Sequence, residues 1–504
     1  MNKLSRSSGV LLHITSLPGP YGIGELGPQA YKFVDDLVEM DQSLWQILPD
    51  NPTDNYNCPY GSISAFANNP FLISLDYLIK DGWLDIKDLD NYPKSALNSV
   101  SFDDIKSTRY SIMLKAANNF LRSKTEKHSK NFNNFCNNNR YWLDTFCTFI
   151  VLQNLLNEEQ WFNWPLSYKS LDIKSINAII IKNIKKINEI KALQYLYHEQ
   201  WDNLKVYANS KGIQIIGDIP IYVSINSADV WENQKLFKLD AKGKMIMQSG
   251  CPPDVFVKTG QIWGHPIYNW SEHHKNNYTW WTNRISNLFK KVDIVRIDHF
   301  NGFAKYWEIP AEDSNGLNGR WMDGPGENLF FALNKVIKNK IILAEDLGEA
   351  SSDAKVIRDQ FGIPGMKILQ FSFGNGKPLK DLEINTVVYT GTHDNNTSIG
   401  WYYEELGFGS TELSVKHEKL RADVKKYLNL NGSNFNWSMI KYAMESEACF
   451  CIIPLQDILG LDSSARMNTP GTIGHNWEWR YDQKALNKSI KIKFKNITKE
   501  TKRI

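Results

Sequence analysis

Residues 293–302 read DIVRIDHFNG, a short run of β-branched side chains that stops at a carboxylate, Asp298. Three other stretches have the same form. IQIIGDIP (213–220) stops at Asp218, KIILAEDLG (340–348) at Glu345 and VVYTGTHDN (387–395) at Asp394. Runs of this composition bounded by turn residues predict strands. Further runs at 9–14, 44–48, 366–371 and 450–453 bring the expected strands to eight, at 213–216, 294–297, 341–344 and 387–390 for the four that end in acids. Each is followed by a turn and a segment of helical periodicity, which predicts parallel βα units and, at eight, a (β/α)8 TIM barrel of class α/β. In such a barrel the C-terminal strand ends share one face, so the four acids are expected to converge there.

Spacing between the expected strands is uneven, so the barrel must carry helical and loop insertions. The stretch 77–199 is rich in Asn, Lys and Leu with helical periodicity and is expected to form a helical subdomain. The stretch 226–270 is rich in Gly, Pro, Trp and Asp and reads as structured loop near the active face. Within it, 250–264 has glycines at both ends with Phe256 and Trp263 inside, the pattern of a lid.

The bulk composition excludes several classes of function. Lys and Arg number 58 against 55 Asp and Glu, a formal charge of +3, and the Lys-rich stretch 484–503 is expected to be a solvated helix or strand edge. Nothing calls for nucleic acid or an acidic membrane, and no window of about 18 apolar residues exists. Six scattered cysteines without C-x-x-C or zinc-like spacing read as reduced thiols, which together predict a cytoplasmic protein. Oligomeric state is left open. The 17 Trp, 22 Tyr and 24 Phe often stand beside Gly, Pro, Asn or Asp, where core packing alone would not put them. Aromatic faces next to amides and carboxylates suit sugar rings, whose C–H faces are apolar and whose rims carry hydroxyls.

Convergent carboxylates serve either to bind hard cations or to cleave a glycosidic bond, one acid giving a proton and another acting as nucleophile or base. Arg296 precedes Asp298 by two residues, so both leave the same strand face, and the guanidinium is expected to hold Asp298 ionised. His299 and His393 stand beside acids as hydroxyl donors. Arg and His neighbours favour the glycosidic reading, whereas a cation site would gather more acids and carbonyls. Asp346 should face the opposite way from Glu345 and make a structural contact. A literal G-x-G-x-x-G at 22–27 is separated from its strand by Pro18 and Pro20, which excludes the dinucleotide fingerprint.

The segments SGVLLHITSLPGPYGIGELG, CPYGSISAFANNPFLISL, GDIPIYV, SADVW, GQIWGHPIYNW, VRIDHFNGFAKYWEIPA, AEDLG, FGIPGMKILQF, TGTHDN, IPLQDILGL, ARMNTPGT and NWEWR, in this order, resemble the 4-α-glucanotransferases of glycoside hydrolase family 77, the amylomaltases or disproportionating enzymes. The resemblance implies a retaining double displacement that moves α-1,4-glucan segments to glucose or malto-oligosaccharide acceptors, with an α-amylase-like hydrolase as the alternative. It implies that Asp298 is the nucleophile, Glu345 the general acid/base and Asp394 the third acid on substrate hydroxyls. It further implies that Arg296 and His393 contact this group, that Asp218 serves the adjoining donor subsite, and that Tyr60, Trp263 and Phe371 line sugar subsites. It implies no metal, no organic cofactor and no C-terminal β-sandwich. The chain departs from the family pattern at Cys58, Gly61, Val255 and Asn301, positions that bear on acceptor preference.

Overall fold

The computed structural model describes residues 5–93, 98–253, 258–348, 351–380, 382–408, 417–428, 430 and 434–504. Its strands in chain order are β1 (Ser7–Leu11), β2 (Leu44–Gln46), β3 (Gln214–Ile219), β4 (Met247–Cys251), β5 (Gln261–Pro266), β6 (Ile294–Ile297), β7 (Lys305–Pro310), β8 (Arg320–Asp323), β9 (Ile341–Ala344), β10 (Gly365–Ile368), β11 (Thr386–Tyr389) and β12 (Phe450–Pro454). Eight of them form one parallel sheet in the order β10-β11-β12-β1-β2-β3-β6-β9. All eight expected strands belong to it.

Side-chain alternation explains why the sheet curls into a near-closed barrel. On each strand one parity is apolar toward the lumen, where Leu11, Leu44, Ile216, Ile294, Leu343, Met366, Val387 and Ile452 belong to one buried cluster. The other parity, including Val10, Trp45, Ile215, Val295, Ile342, Val388 and Cys451, belongs to a second cluster shared with the helices. A sheet apolar on both faces must be covered on both, and closure with helices outside does so. The helix Pro28–Glu39 is typical: Pro28 opens it, and Ala30, Phe33, Val34 and Leu37 form a buried stripe at helical spacing.

The seam between β9 and β10 is narrow. The N–H of Ala344 donates to the carbonyl of Pro364 at 2.8 Å. Asp346 accepts from the N–H of Met366 at 2.9 Å with one oxygen and from Arg358 at 2.5 Å with the other. This is the structural contact expected of Asp346, and it fastens the strand end that carries Glu345.

Between β2 and β3 the chain forms a group of helices that includes Phe102–Ser123, Glu126–Asn138, Arg140–Leu156 and Ile184–Ser210. The last of these runs past residue 199 and leads into β3. Between β3 and β6, where composition predicts loop, the backbone instead forms β4 and β5. These pair antiparallel with each other, and β4 and β7 then β7 and β8 complete a four-stranded sheet. Of the expected lid, residues 254–257, with Phe256, lie outside the described residues, as does Val255. The Lys-rich end forms a helix, Lys488–Glu500, that buries Phe494 and Ile497, while Arg503 donates to the carbonyls of Met444, Ser7 and Ala448. Gly24 packs so close to the backbone of Ile14 that an added Cβ would lie 1.8 Å from its oxygen, and the turn Ile14–Ser16 stands between β1 and this glycine. The dinucleotide arrangement is therefore absent here.

Replacing Asp346 with Ala strands the Met366 N–H and removes one partner of Arg358, so it should destabilise the fold by about 1–3 kcal/mol. Asp346→Asn, whose amide oxygen can still accept from Met366, should lose less. Thermal unfolding checks both, and an Ala variant as stable as the parent would show that the seam does not depend on this side chain.

Candidate active site

Period-2 geometry puts Ile294, Arg296 and Asp298 on one side of β6, so the lumen that is apolar at the Ile294 level becomes ionic two residues later. Asp218 is the register partner of Arg296 on β3, and Leu343, two residues before Glu345, is its partner on β9. Three adjacent strands thereby present Asp218, Asp298 and Glu345 to one guanidinium. Arg296 Nη1 donates to Asp218 at 2.6 Å and to Asp298 at 3.2 Å, and Nη2 lies 3.2 Å from Glu345. Backbone bonds extend the ladder past the strand ends: Asp298 N–H to the Ile219 carbonyl and Glu345 N–H to the Ile297 carbonyl, each 3.0 Å.

His299 adopts a left-handed backbone conformation, φ 49°, which His tolerates better than most residues. The turn points its N–H at Glu345 Oε2, 2.7 Å away. Its ring meets Trp263 edge to face at 4.7 Å. On the other side, Tyr60 donates to Asp218 at 2.8 Å and stacks on His393 with ring centroids 5.0 Å apart. Asp394 stands 46% exposed, its Oδ1 3.4 Å from His393 Nε2. Phe371 is 59% exposed on the turn Leu369–Ser372, which directly follows β10. Around the carboxylates the structure gathers Tyr60, Asp218, Trp263, Arg296, His299 and His393, while Phe371 is exposed just past the C-terminal end of β10.

Three groups in the site were not expected from the sequence. Asn468 donates to Asp394 Oδ1 at 2.6 Å, Arg466 donates to the Asp394 carbonyl at 2.6 Å, and Trp477 tilts against both Tyr60 and His393 at 5.9 and 5.8 Å. They come from ARMNTPGT and NWEWR, which carry no acid at a strand end. Of the departures, Gly61 sits where an added Cβ would lie 2.3 Å from an Asp54 oxygen. Asn301 donates to the Leu347 carbonyl at 2.5 Å, and burial pushes the Cys58 thiol up to about 12.

One cation against three acids decides the electrostatics. Burial raises Asp218, with Arg296 opposing. Burial also raises Glu345, opposed by Arg296 and the His299 N–H. Asp298 is raised well above the carboxylate range by burial and then by the charge of Glu345, with which it is near enough to hydrogen-bond. Arg296 was expected to keep Asp298 ionised. Its closest bond instead goes to Asp218, and its 3.2 Å contact does not offset burial and repulsion. The two carboxyls titrate as a pair whose affinity for a proton is raised. His299 is lowered to about 4 by burial, and His393 is lowered by burial although Asp394 opposes, so both rings are neutral donors near neutrality. Tyr60, raised by burial, stays a phenol. Among the described residues no group of three His, Cys, Asp or Glu could hold a metal ion.

The 4-alpha-glucanotransferase family model matches residues 12–486. The chain belongs to that family. It is 39% identical to the 4-alpha-glucanotransferase of Streptococcus pneumoniae over 99% of this chain and 98% of that protein. It is 42% identical to the chloroplastic/amyloplastic 4-alpha-glucanotransferase of Arabidopsis thaliana over 94% of this chain and 81% of that one. The amylomaltase of Streptococcus agalactiae, solved with acarbose, superposes with a TM-score of 0.93 at 35% identity, covering 99% and 100% of the two chains. As a member of the 4-alpha-glucanotransferase family, the chain is a glucan-transferring enzyme with the fold of an amylomaltase.

Raised carboxyls make a pH prediction. The protonated pair stabilises the fold below the ordinary carboxylate range, and this contribution is lost as pH rises through the raised values. Asp298→Asn or Glu345→Gln, which removes one charge, should therefore raise the unfolding temperature near neutral pH and barely change it at about pH 4. A lowered unfolding temperature at neutral pH would mean that attraction to Arg296 outweighs burial and repulsion.

Proposed function

We propose that this chain is a retaining 4-α-glucanotransferase that passes α-1,4-glucan segments to glucose or malto-oligosaccharides through a covalent glycosyl-enzyme on Asp298. The observation that carries the retaining reading is the proximity of Asp298 and Glu345. Inverting enzymes hold their two acids roughly 6.5–9.5 Å apart to admit a water, and retaining enzymes about 5–5.5 Å. Both carboxyls reach the one guanidinium of Arg296, each at 3.2 Å, a closeness that suits the second class.

The proton moves as the donor binds. A glycosidic oxygen accepts hydrogen bonds, so seating it against Glu345 draws the pair's proton there and leaves Asp298 ionised beside Arg296. Asp298 then attacks the anomeric carbon as Glu345 protonates the departing oxygen, giving an α-to-β inversion and a glycosyl ester. Glu345, now an anion held by Arg296 and the His299 N–H, takes the proton of an acceptor 4-hydroxyl, and the second inversion restores the α configuration. Asp394, held by Asn468 and Arg466, binds hydroxyls of the reacting sugar. Tyr60, His393 and Trp477 form one aromatic wall, and Trp263 with His299 forms the other. Both oxygens of buried Asp218 are engaged, by Tyr60 and Arg296 and by the Ile219 N–H, so its part is to anchor Arg296 more than to touch sugar. Phe371, exposed at the rim, suits a distal subsite.

We place the enzyme in the cytoplasm. Cys58, Cys136, Cys147, Cys449 and Cys451 carry free thiols, which suits a reducing compartment; fractionation against a cytosolic marker tests this.

Incubation with maltotriose should yield glucose and a ladder of longer oligosaccharides; shorter products alone would favour the hydrolase. Asp298→Asn and Glu345→Gln should each lower transfer by several orders of magnitude. With α-maltotriosyl fluoride, whose leaving group needs no proton, Glu345→Gln should still accumulate the glycosyl-enzyme by mass spectrometry and Asp298→Asn should not. Adduct formation by Asp298→Asn would refute its assignment as nucleophile.

A further inference from the structure

A second cleft, of about 220 Å³, opens where the helical excursion meets the outside of the barrel. None of the active-site side chains lines it. Three elements build it: the helix Arg140–Leu156 contributes Tyr141 and Thr145, one turn apart on one face; the helix Ala228–Glu232 contributes Glu232; and the barrel helix Thr279–Lys291 contributes Thr279 and Asn283, again one turn apart. Phe66 lies at its base, edge to face with Tyr141 at 5.7 Å and with Trp280 at 6.1 Å. Tyr141 is 42% exposed, and its hydroxyl donates to Asn287 at 3.3 Å, so a large ring of the lining is positioned by this bond while remaining open to solvent.

The chemistry of the lining selects a ligand class. Among the described residues it includes no Lys, Arg or His, so nothing favours a phosphate or carboxylate ligand. Of its two acids, Asp229 is spent on the Ala65 N–H and the Trp280 indole. Glu232 uses one oxygen to accept from Thr145 at 2.6 Å and is also met by the Asn233 side chain, while Asn283 adds a further amide to the lining. An aromatic face rimmed by one carboxylate, amides and hydroxyls offers acceptors and donors to a neutral polyol. The volume lies below the roughly 300–1,000 Å³ of sites for larger ligands, which suits a single pyranose ring.

We propose that this cleft is an accessory, non-catalytic saccharide site that holds one glucosyl unit of a long α-glucan, with Tyr141 as the stacking platform and Glu232 as the hydroxyl acceptor. The choice of glucan as the sugar rests on the proposed function; the existence of a sugar site rests on the cleft alone. Its consequence is selective: a chain long enough to reach both sites gains affinity, and maltotriose does not.

Electrophoresis of the full chain through gels containing amylose, paired with kinetics on amylose and on maltotriose, tests this. Tyr141→Ala, and independently Asn283→Arg at an exposed helical position that can block the mouth without touching the core, should each weaken retention and lower kcat/KM for amylose by about three- to tenfold, the worth of one aromatic contact. kcat/KM for maltotriose should not change. Unaltered retention in folded Asn283→Arg, or equal losses on both substrates, would overturn the proposal. Retention that depends on Tyr141 in a protein without transfer activity would leave the sugar site standing and count against the transferase reading; transfer activity with retention indifferent to both variants would do the reverse.

Discussion

A buried guanidinium must find acceptors for its N–H groups, and at the upper end of this barrel acids supply them. Arg296 reaches Asp218, Asp298 and Glu345 because β3, β6 and β9 are neighbours in register, Asp218 beside Arg296 beside Leu343. A slip of one residue in either pairing would turn the acid of that strand away and leave a charge in apolar surroundings. Strand register, ion pairing and catalytic geometry are thus one constraint. The cation also sets the protonation state, since a single positive charge cannot hold three buried carboxylates ionised.

Below that layer the lumen is closed by side chains such as Leu44, Ile216, Ile294 and Leu343, which keep water and relaxation out of the ionic layer from beneath. Attraction to Arg296 is strong in such surroundings, and so is repulsion between Asp298 and Glu345. The fold tolerates this stress because each acid is covalently fixed to a strand whose outer face is buried against helices. Repulsion that a flexible loop would relieve by moving is here retained as a raised affinity for one proton, which is what a double displacement consumes in its first step and recovers in its second.

What could be read from the amino-acid sequence follows the range of the interactions involved. The strands 294–297 and 341–344 were placed without error because β-branched runs and the acids that end them are local signals. The run 9–14 overshoots, since the chain leaves the sheet after Leu11 and turns at Ile14–Ser16, and 366–371 overshoots because Leu369–Ser372 coils. Strands β4 and β5 leave no such signal: Gly250, Gly264 and Pro266 lower their intrinsic preference, and β5 is held by β4, which in turn pairs with β7 across the intervening barrel strand β6. Asp218, Asp298, Glu345 and Asp394 announced themselves as strand-end acids. Asn468, Arg466 and Trp477 did not, because their roles exist only where a segment distant in the chain folds back over Asp394. The protonation of Asp298 is hidden for a related reason: a period of 2 shows that Arg296 shares its face, but not that Asp218 takes the shorter bond.

The helical excursion between β2 and β3 is bound to the active face by buried polar groups that neither part could satisfy alone. Lys291, on a barrel helix, donates to Asp50 at 2.8 Å and to Asn68 at 2.6 Å, and Tyr197 on the helix Ile184–Ser210 donates to the same Asp50. On that helix, Gln194 bonds both the N–H and the carbonyl of Asn68, and Gln200 does the same at Ser74. These bonds fasten 68–74, the continuation of the segment that carries Tyr60, at two points about 1.7 helical turns apart. Truncating Gln194, Gln200 or Tyr197 would leave the backbone groups of Asn68 or Ser74, or the Asp50 carboxylate, buried with a partner missing, each at a cost of about 1–3 kcal/mol. The excursion is therefore part of the scaffold that fixes Tyr60 over Asp218, and the position of the aromatic wall beside the carboxylates is set from outside the barrel as much as from its strands.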